Sequence, residues 1–361
     1  MKPQPKPGIA ALKAYVPGKS SVDGFGRPLK LSANENPFGC SDCAREAYFA
    51  AARDLHLYPD ANTSVLRAAI ADKFRLEPER LVFGAGSDEI FSMVAQAYLA
   101  GGDNAVQPQY GFAAWSIIVR AAGGEMRFAA EKNFVADVQT LLANVDERTR
   151  VVFLANPANP TGTYLPFREV EQLHTRLPPE VLLVLDGAYA ECAGASDFSD
   201  GLEWSRDKEN VIVTRTFSKV YGLASLRIGW AYAPQAVAGV LNRIRLPFAV
   251  PRAGEAAAVA ALADDAFVQR SVAQFIEGRH VLSTALARLG VTTLPSATNF
   301  VTARFDDAEA IEEGLARRGV LVRRLHTYGM PDWLRISVGT PNELERLISE
   351  LTGLLDRTTP R

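Results

Sequence analysis

Three apolar runs, the last of them β-branched, dominate the middle of the chain: Val151-Val-Phe-Leu-Ala155, Val181-Leu-Leu-Val-Leu185 and Val211-Ile-Val-Thr-Arg-Thr-Phe217. Apolar runs without alternation predict strands buried on both faces of a sheet. A helix is predicted over 166–176, and helical stretches between strands make βαβ alternation and a mostly parallel sheet. Shorter strands are expected at 81–83, 104–111 and 228–232. Helices are expected at 42–55, around Val65, Leu66, Ala69, Ile70 and Phe74, and at 90–99. After Pro247 and Pro251 the pattern changes. Residues 254–289 are Ala-rich with few breakers and predict one long linking helix. Strands at 298–304, 320–325 and 333–338 and helices at 307–318 and 341–355 then predict a smaller α+β unit. Residues 1–30 are rich in Pro and Gly, have no amphipathic period, and need another surface to be ordered.

The polar residues that close the buried runs draw attention. Asn159, Asp186 and Lys219 end three successive predicted strands, which places them along one sheet edge, where open α/β sheets bind ligands. Lys219, between Phe217 and Val220 and beside Ser218, is a candidate nucleophile, with a solvated loop lysine as the plain alternative. Asp186 follows five apolar residues and is expensive to bury unless a cation or donor meets it; a structural salt bridge would also do. Gly84-Ala-Gly-Ser-Asp-Glu89 is a glycine-rich strand-to-helix turn, whose free N–H groups suit an anion, although Ser87 or Asp88 could simply cap the helix. Arg227 is close enough to hold that anion. Tyr110, at a strand end, is either a core aromatic or a platform for a flat ring.

Composition narrows the function classes. The chain has 361 residues, 48% hydrophobic and 22% charged, with a formal net charge of −2. Its length fits a large domain and a smaller one. Nothing in the charge suggests a nucleic-acid or anionic-membrane partner, and no run approaches the ~20 apolar residues of a membrane helix. Three cysteines and no signal-peptide pattern lead us to expect a cytoplasmic protein. Cys40-Ser-Asp-Cys43 lacks a second ligand pair, so no metal site is expected.

Taken together, Ala33-Asn-Glu-Asn-Pro37, Tyr58-Pro-Asp60, Gly86-Ser-Asp-Glu89, Asn159-Pro-Thr-Gly162, Asp186-Gly-Ala-Tyr189, Ser218-Lys219, Gly222-Leu-Ala-Ser-Leu-Arg227 and Leu334-Arg-Ile-Ser-Val-Gly339 resemble the pyridoxal-phosphate aminotransferases of the aspartate-aminotransferase fold, and most of all their histidinol-phosphate branch. The resemblance runs from Tyr15 to about Asn342. It implies an α/β fold with a large domain at 36–253, a small domain at 254–361, and an arm at 1–35 packed on the small domain or a partner subunit. It implies pyridoxal 5'-phosphate as cofactor, with Lys219 as the Schiff-base lysine and Asp186 beside the ring nitrogen. Asn159 and Tyr189 would meet the ring's phenolic oxygen, and Tyr110 would stack on the ring. Ser87, Asp88, Ser218 and Arg227 would hold the cofactor phosphate, and Tyr58 would reach the phosphate in a neighbouring subunit, so a homodimer with shared sites follows. Tyr15, Asn36, Arg323 and Arg335 are the implied substrate residues, with Arg324 competing for the place of Arg323 because adjacent strand residues face opposite ways. The implied reaction passes an amino group between L-histidinol phosphate and 2-oxoglutarate; an aromatic aminotransferase or a threonine-phosphate decarboxylase are the alternatives. The chain departs from the family in Gly187, where Glu is common, and in Ala85 and Ala158, where asparagines are frequent.

Overall fold

The structure is a computed structural model that describes residues 2–6 and 8–358; Met1 and Pro7 of the expected arm and residues 359–361 of the expected small domain lie outside the described residues. β1 (Leu29–Lys30) ends the N-terminal segment. Next come α1 (Asp42–Ala51), α2 (Ser64–Phe74), β2 (Leu81–Ala85), α3 (Ser87–Tyr98), β3 (Asn104–Pro108), α4 (Ala113–Ala122), β4 (Glu125–Ala129) and α5 (Val138–Ala143). β5 (Thr149–Ala155), α6 (Phe167–Arg176), β6 (Leu182–Asp186), β7 (Val211–Thr216), β8 (Ile228–Tyr232) and α7 (Gln235–Ile244) follow. The remainder is α8 (Arg252–Ala263), α9 (Asp265–Arg288), β9 (Thr292–Thr293), β10 (Phe300–Arg304), α10 (Ala308–Ala316), β11 (Val320–Leu321), β12 (Arg323–Leu325), β13 (Met330–Ser337) and α11 (Pro341–Thr358).

A seven-stranded sheet in the order β2-β8-β7-β6-β5-β3-β4 forms the larger layer. It is parallel except for β8, which runs against both neighbours. The apolar runs are its centre, and every residue of β6 and β7 is buried. One face packs Val82, Phe153, Val184 and Ile212 on Phe91, Trp115 and Leu241 of α3, α4 and α7. The other packs Phe83, Val152, Leu183 and Val213 on Leu66 of α2, Ala258 of α8 and Leu173 of α6. That second core continues through Phe275 and Leu282 of α9 to Val301 and Ile336 of an antiparallel sheet, β12-β13-β10-β9. Register pairs Ala155 with Asp186 and Asp186 with Thr214, so the ends of β5, β6 and β7 stand in line.

The N-terminal segment packs beside the second sheet. β1 pairs in parallel with β11, Lys19 pairs with Glu312 at 2.8 Å, and the Val16 carbonyl accepts from Arg323 at 2.6 Å.

Four expectations differ from what is observed. The helix expected over 254–289 is two, because Asp264 leaves helical geometry and its carboxylate caps α9 at Phe267. α8 packs on α1 and α2 of the larger layer. The strand expected over 320–325 divides between two sheets, since β11 pairs with β1 and β12 with β13. α3 starts at Ser87, inside the glycine turn, and α4, β4, α5 and α7 had no predicted counterpart.

The lysine turn is the tightest point. Gly222 donates its N–H to the Lys219 carbonyl at 3.0 Å and sits at φ 71°, and a Cβ there would run into the Gly39 carbonyl. Gly222→Ala is therefore expected to cost on the order of 3 kcal/mol in urea-unfolding free energy. A loss below about 0.5 kcal/mol would show that the turn relaxes freely.

Candidate active site

Beyond the ends of β5, β6 and β7 lies a cavity of about 260 Å³. Asn159, Asp186, Tyr189, Ser87, Asp88, Ser218, Lys219 and Arg227 all line it, so most of the sequence-derived candidates are brought to one place. The polypeptide arrives there by short excursions. Phe217 N–H bonds the Ile228 carbonyl and Leu223 N–H the Phe217 carbonyl, both at 3.0 Å, which closes 217–228 into a compact loop that presents Lys219. Its amine lies 5.6 Å from the Tyr189 ring centroid and forms no ion pair among the described residues.

Asp186 is the electrostatic centre. Its Oδ1 accepts from the Ala188 N–H at 3.1 Å and the Thr214 hydroxyl at 3.2 Å. Burial pushes its carboxyl up to about 6, helped by Asp88 and opposed by those two donors and Lys219. A buried acid held this way is ready for a cationic partner.

One end of the cavity is an anion cradle. Gly86, at φ 80°, opens α3, whose first N–H groups have no intrahelical partner. A Cβ on Gly86 would meet the Arg227 guanidinium, and one on Gly229 the Ser87 nitrogen, so these backbones approach as closely as glycine allows. Arg227 donates to the Ser218 hydroxyl at 3.2 Å and pairs with Asp88 at 3.1 Å.

Arg335 and Arg323 stand opposite each other across β12 and β13. Arg335 donates to the Asn159 side-chain oxygen and, at 3.1 Å, to the Ser32 carbonyl. Its bond leaves the amide nitrogen of Asn159 for the cavity. Both arginines are buried, and neither has an ion-pair partner among the described residues. Like charges facing one another across a strand pair are unfavourable unless an anion joins them. Arg324 instead pairs with Glu309 and donates to His326 at 3.0 Å, so the neighbour that faces the site is Arg323. Arg323 and Tyr15 line a second cavity of about 800 Å³, which adjoins the first where the Tyr15 ring packs edge-on to Phe112 at 6.3 Å.

Besides Tyr15, Arg323 and Arg335, which stand beside the Lys219 cavity rather than on its lining, three further candidates lie outside it. Asn36 is spent on structure: its nitrogen donates to the Val220 carbonyl and the Ser271 hydroxyl, and its oxygen accepts from Phe38, at 2.8–3.0 Å. Tyr110 stacks on Phe134 at 5.3 Å while its N–H is held by Glu131 at 2.9 Å, and Phe112, two residues on, lines the cavity in its place. Tyr58 is exposed and stacks on Phe248 at 4.7 Å. The sequence reading missed Asn34, Phe112, Thr214 and Ser337. Asn34, in the Asn34-Glu-Asn36 motif, and Ser337, in the Leu334-Arg-Ile-Ser-Val-Gly339 motif, had a signal; Phe112 and Thr214 had none.

A strand-end lysine, a buried acid and an anion cradle around one small cavity define an enzyme site for a phosphorylated cofactor. The sequence model of the family described as aminotransferase class I and II matches residues 27–351, and the chain belongs to that family, with its aspartate-aminotransferase-like fold. It is 50% identical over 358 residues to histidinol-phosphate aminotransferase 1 of Caulobacter vibrioides, covering 98% of this chain and 100% of that one. It is 45% identical to the histidinol-phosphate aminotransferase of Rhodopseudomonas palustris strain BisB18, covering 97% of each. The crystal structure of histidinol-phosphate aminotransferase from Sinorhizobium meliloti in complex with pyridoxal-5'-phosphate superposes with a TM-score of 0.91, at 31% identity and 98% coverage of each chain.

The Asp186 carboxyl makes a testable signature in the protein without ligand. Its folded value lies above the ordinary 3.8, so its contribution to stability is complete below about pH 4 and lost as pH rises through about 6. Asn at 186 cannot titrate. Urea unfolding of Asp186→Asn and wild type is expected to show the variant gaining on the order of 3 kcal/mol relative to wild type between pH 4 and pH 8. A difference constant with pH would mean that Asp186 is not held protonated.

Proposed function

We propose that the chain is a pyridoxal-phosphate-dependent aminotransferase that passes the amino group of L-histidinol phosphate to 2-oxoglutarate, as a step of histidine biosynthesis. The observation that carries this reading is the pair of buried, carboxylate-free arginines, Arg323 and Arg335, beside the lysine cavity. The relatives named above support it.

The residues fit the cofactor. Gly86, Ser87, Ser218 and Arg227 form a phosphate cradle, the buried Asp186 suits a protonated ring nitrogen, and the Asn159 amide and Tyr189 hydroxyl suit a ring oxygen. When bound, pyridoxal phosphate supplies a carbonyl that takes up the amino group and a ring that accepts electrons. Lys219 then holds or moves the proton at the substrate α-carbon. Asp186, ionised against a cation, keeps the ring nitrogen protonated. Arg335 and Arg323 fix the substrate's anionic groups, which a planar guanidinium does better than an ammonium.

Two lobes belong to this reading, a large one at 36–253 and a small one at 254–361 whose first helix, α8, packs back on the large one, with the N-terminal arm on the small lobe. So does a homodimer. Leu55, Leu57, Tyr58, Leu246 and Phe248 are all exposed, and the Tyr58–Phe248 stack joins their two segments into one apolar surface. No helix among the described residues is long and apolar enough to cross a membrane. A cytoplasmic location is supported by Cys40, Cys43 and Cys192, all free thiols.

A spectral titration tests the reaction. L-histidinol phosphate, L-glutamate, L-phenylalanine and L-threonine phosphate are added separately to cofactor-loaded protein. Histidinol phosphate is expected to convert the visible band at the lowest concentration, and glutamate to convert it too; a chain that no amino donor converts is not a transaminase. Lys219→Ala should abolish both the band and turnover. Arg323→Ala should lower kcat/KM for histidinol phosphate on the order of 100-fold and spare phenylalanine. Equal losses would remove Arg323 from phosphate recognition.

A further inference from the structure

We infer that Asn34 is a positioning residue that turns the Tyr189 hydroxyl proton into the lysine cavity, and that Ser337 fixes Asn34 for this task. The inference rests on the cofactor reading above.

The three residues involved are buried: Asn34, Tyr189 and Ser337 are at most 3% exposed. The Asn34 backbone N–H donates to the Ser337 hydroxyl at 2.8 Å. That hydroxyl, already accepting, donates its own proton to the Asn34 side-chain oxygen at 3.1 Å. With the oxygen end of the amide on the Ser337 proton, the nitrogen end is the one that donates to the Tyr189 hydroxyl at 2.8 Å. Since Tyr189 accepts there, its own proton must go elsewhere. No acceptor for it exists among the described residues, and Tyr189 lines the lysine cavity.

The backbone shows how firmly Asn34 is set. It stands at φ 57°, in the left-handed region that asparagine tolerates better than most residues, and its carbonyl accepts from Asn299 at 2.9 Å. The Tyr189 ring is held edge-on by Phe300 at 5.4 Å. Every bond in the chain Asn34 N–H, Ser337, Asn34 amide, Tyr189 therefore has one direction, and the direction ends in the cavity.

A donor aimed at the cofactor's ring oxygen stabilises its anionic form and sets the pH at which the visible band of the bound cofactor titrates. Asn34→Asp keeps the shape and the tolerance for positive φ but offers an acceptor, so the Tyr189 proton turns away from the cavity. The band midpoint of holoenzyme is expected to rise by about one pH unit. In the Tyr189→Phe background the same substitution should shift it by less than about 0.3 unit, whereas a mere added charge would act in both backgrounds. Should Asn34→Asp not fold, Ser337→Ala, which frees the amide to flip, should raise the midpoint in the same direction and lose that effect with Phe at 189. Wild-type protein that forms no band with pyridoxal phosphate overturns the proposed function and this inference together. A titrating wild-type band unchanged by both variants, or shifted equally in the two backgrounds, overturns the inference alone.

Discussion

Asp186 and Lys219 line one cavity, and they do not pair with each other. In a protein interior an acid and an amine that could meet would gain by doing so, and a salt bridge would close the site. Here the strand register prevents it. Asp186 ends β6 with its oxygen tied to Thr214 of the neighbouring strand and to the Ala188 N–H, while Lys219 is carried past the end of β7 by a loop closed on Gly222. The consequence is an acid raised by burial and an uncommitted amine, two groups that only a third party can satisfy. The seven-stranded sheet exists, functionally, to hold that separation.

The same logic governs the cations above the cavity. Arg323 and Arg335 are register partners on adjacent strands, and their burial without carboxylates is a cost the fold bears until an anion arrives. Arg227, by contrast, is half-exposed and shared between Asp88 and Ser218, so it can be redirected at little expense. In the proposed function two kinds of arginine thus serve two kinds of anion: a buried opposed pair for a substrate, and a loosely held one beside the helix N-terminus for a phosphate.

What was legible in the sequence followed burial on both faces. β5, β6 and β7 carry the apolar stretches 151–155, 182–185 and 211–213 because central strands are buried on both faces, so the polar residues beyond them stood out as Asn159, Asp186 and Lys219. α4 was not legible: Ser116-Ile-Ile-Val119 is β-branched and strand-like, and only the docking of Trp115 and Val119, one turn apart, makes it helical. β4 is a short edge strand with Glu125 and Phe128 exposed, which leaves no pattern to read. The Asn-Glu-Asn motif drew notice for its polarity, yet spacing could not say which asparagine meets the site. The positive φ of Asn34 decides it by sending that amide to Tyr189, while Asn36 braces the lysine turn from behind. Tyr110 and Phe112 were undecidable in the same way, two residues apart on one loop.

Gly187, where the family commonly has Glu, shows how such a departure is absorbed. A Cβ there would press on the Thr214 carbonyl and on Arg215, whose guanidinium reaches the Gly187 carbonyl at 3.4 Å. Arg215 is buried and pairs with Glu191 at 3.4 Å and Asp200 at 2.6 Å. The room beside Gly187 is occupied by a cation from the next strand, and the acid it needs is Glu191, four positions further on. Because Arg215 lies between Thr214 and Thr216, this ion pair braces the strand that supplies a hydrogen bond to Asp186. Losing a side chain at 187 thus leaves the donors around Asp186 intact, and substitution at this position changes the bracing of the acid without changing the acid.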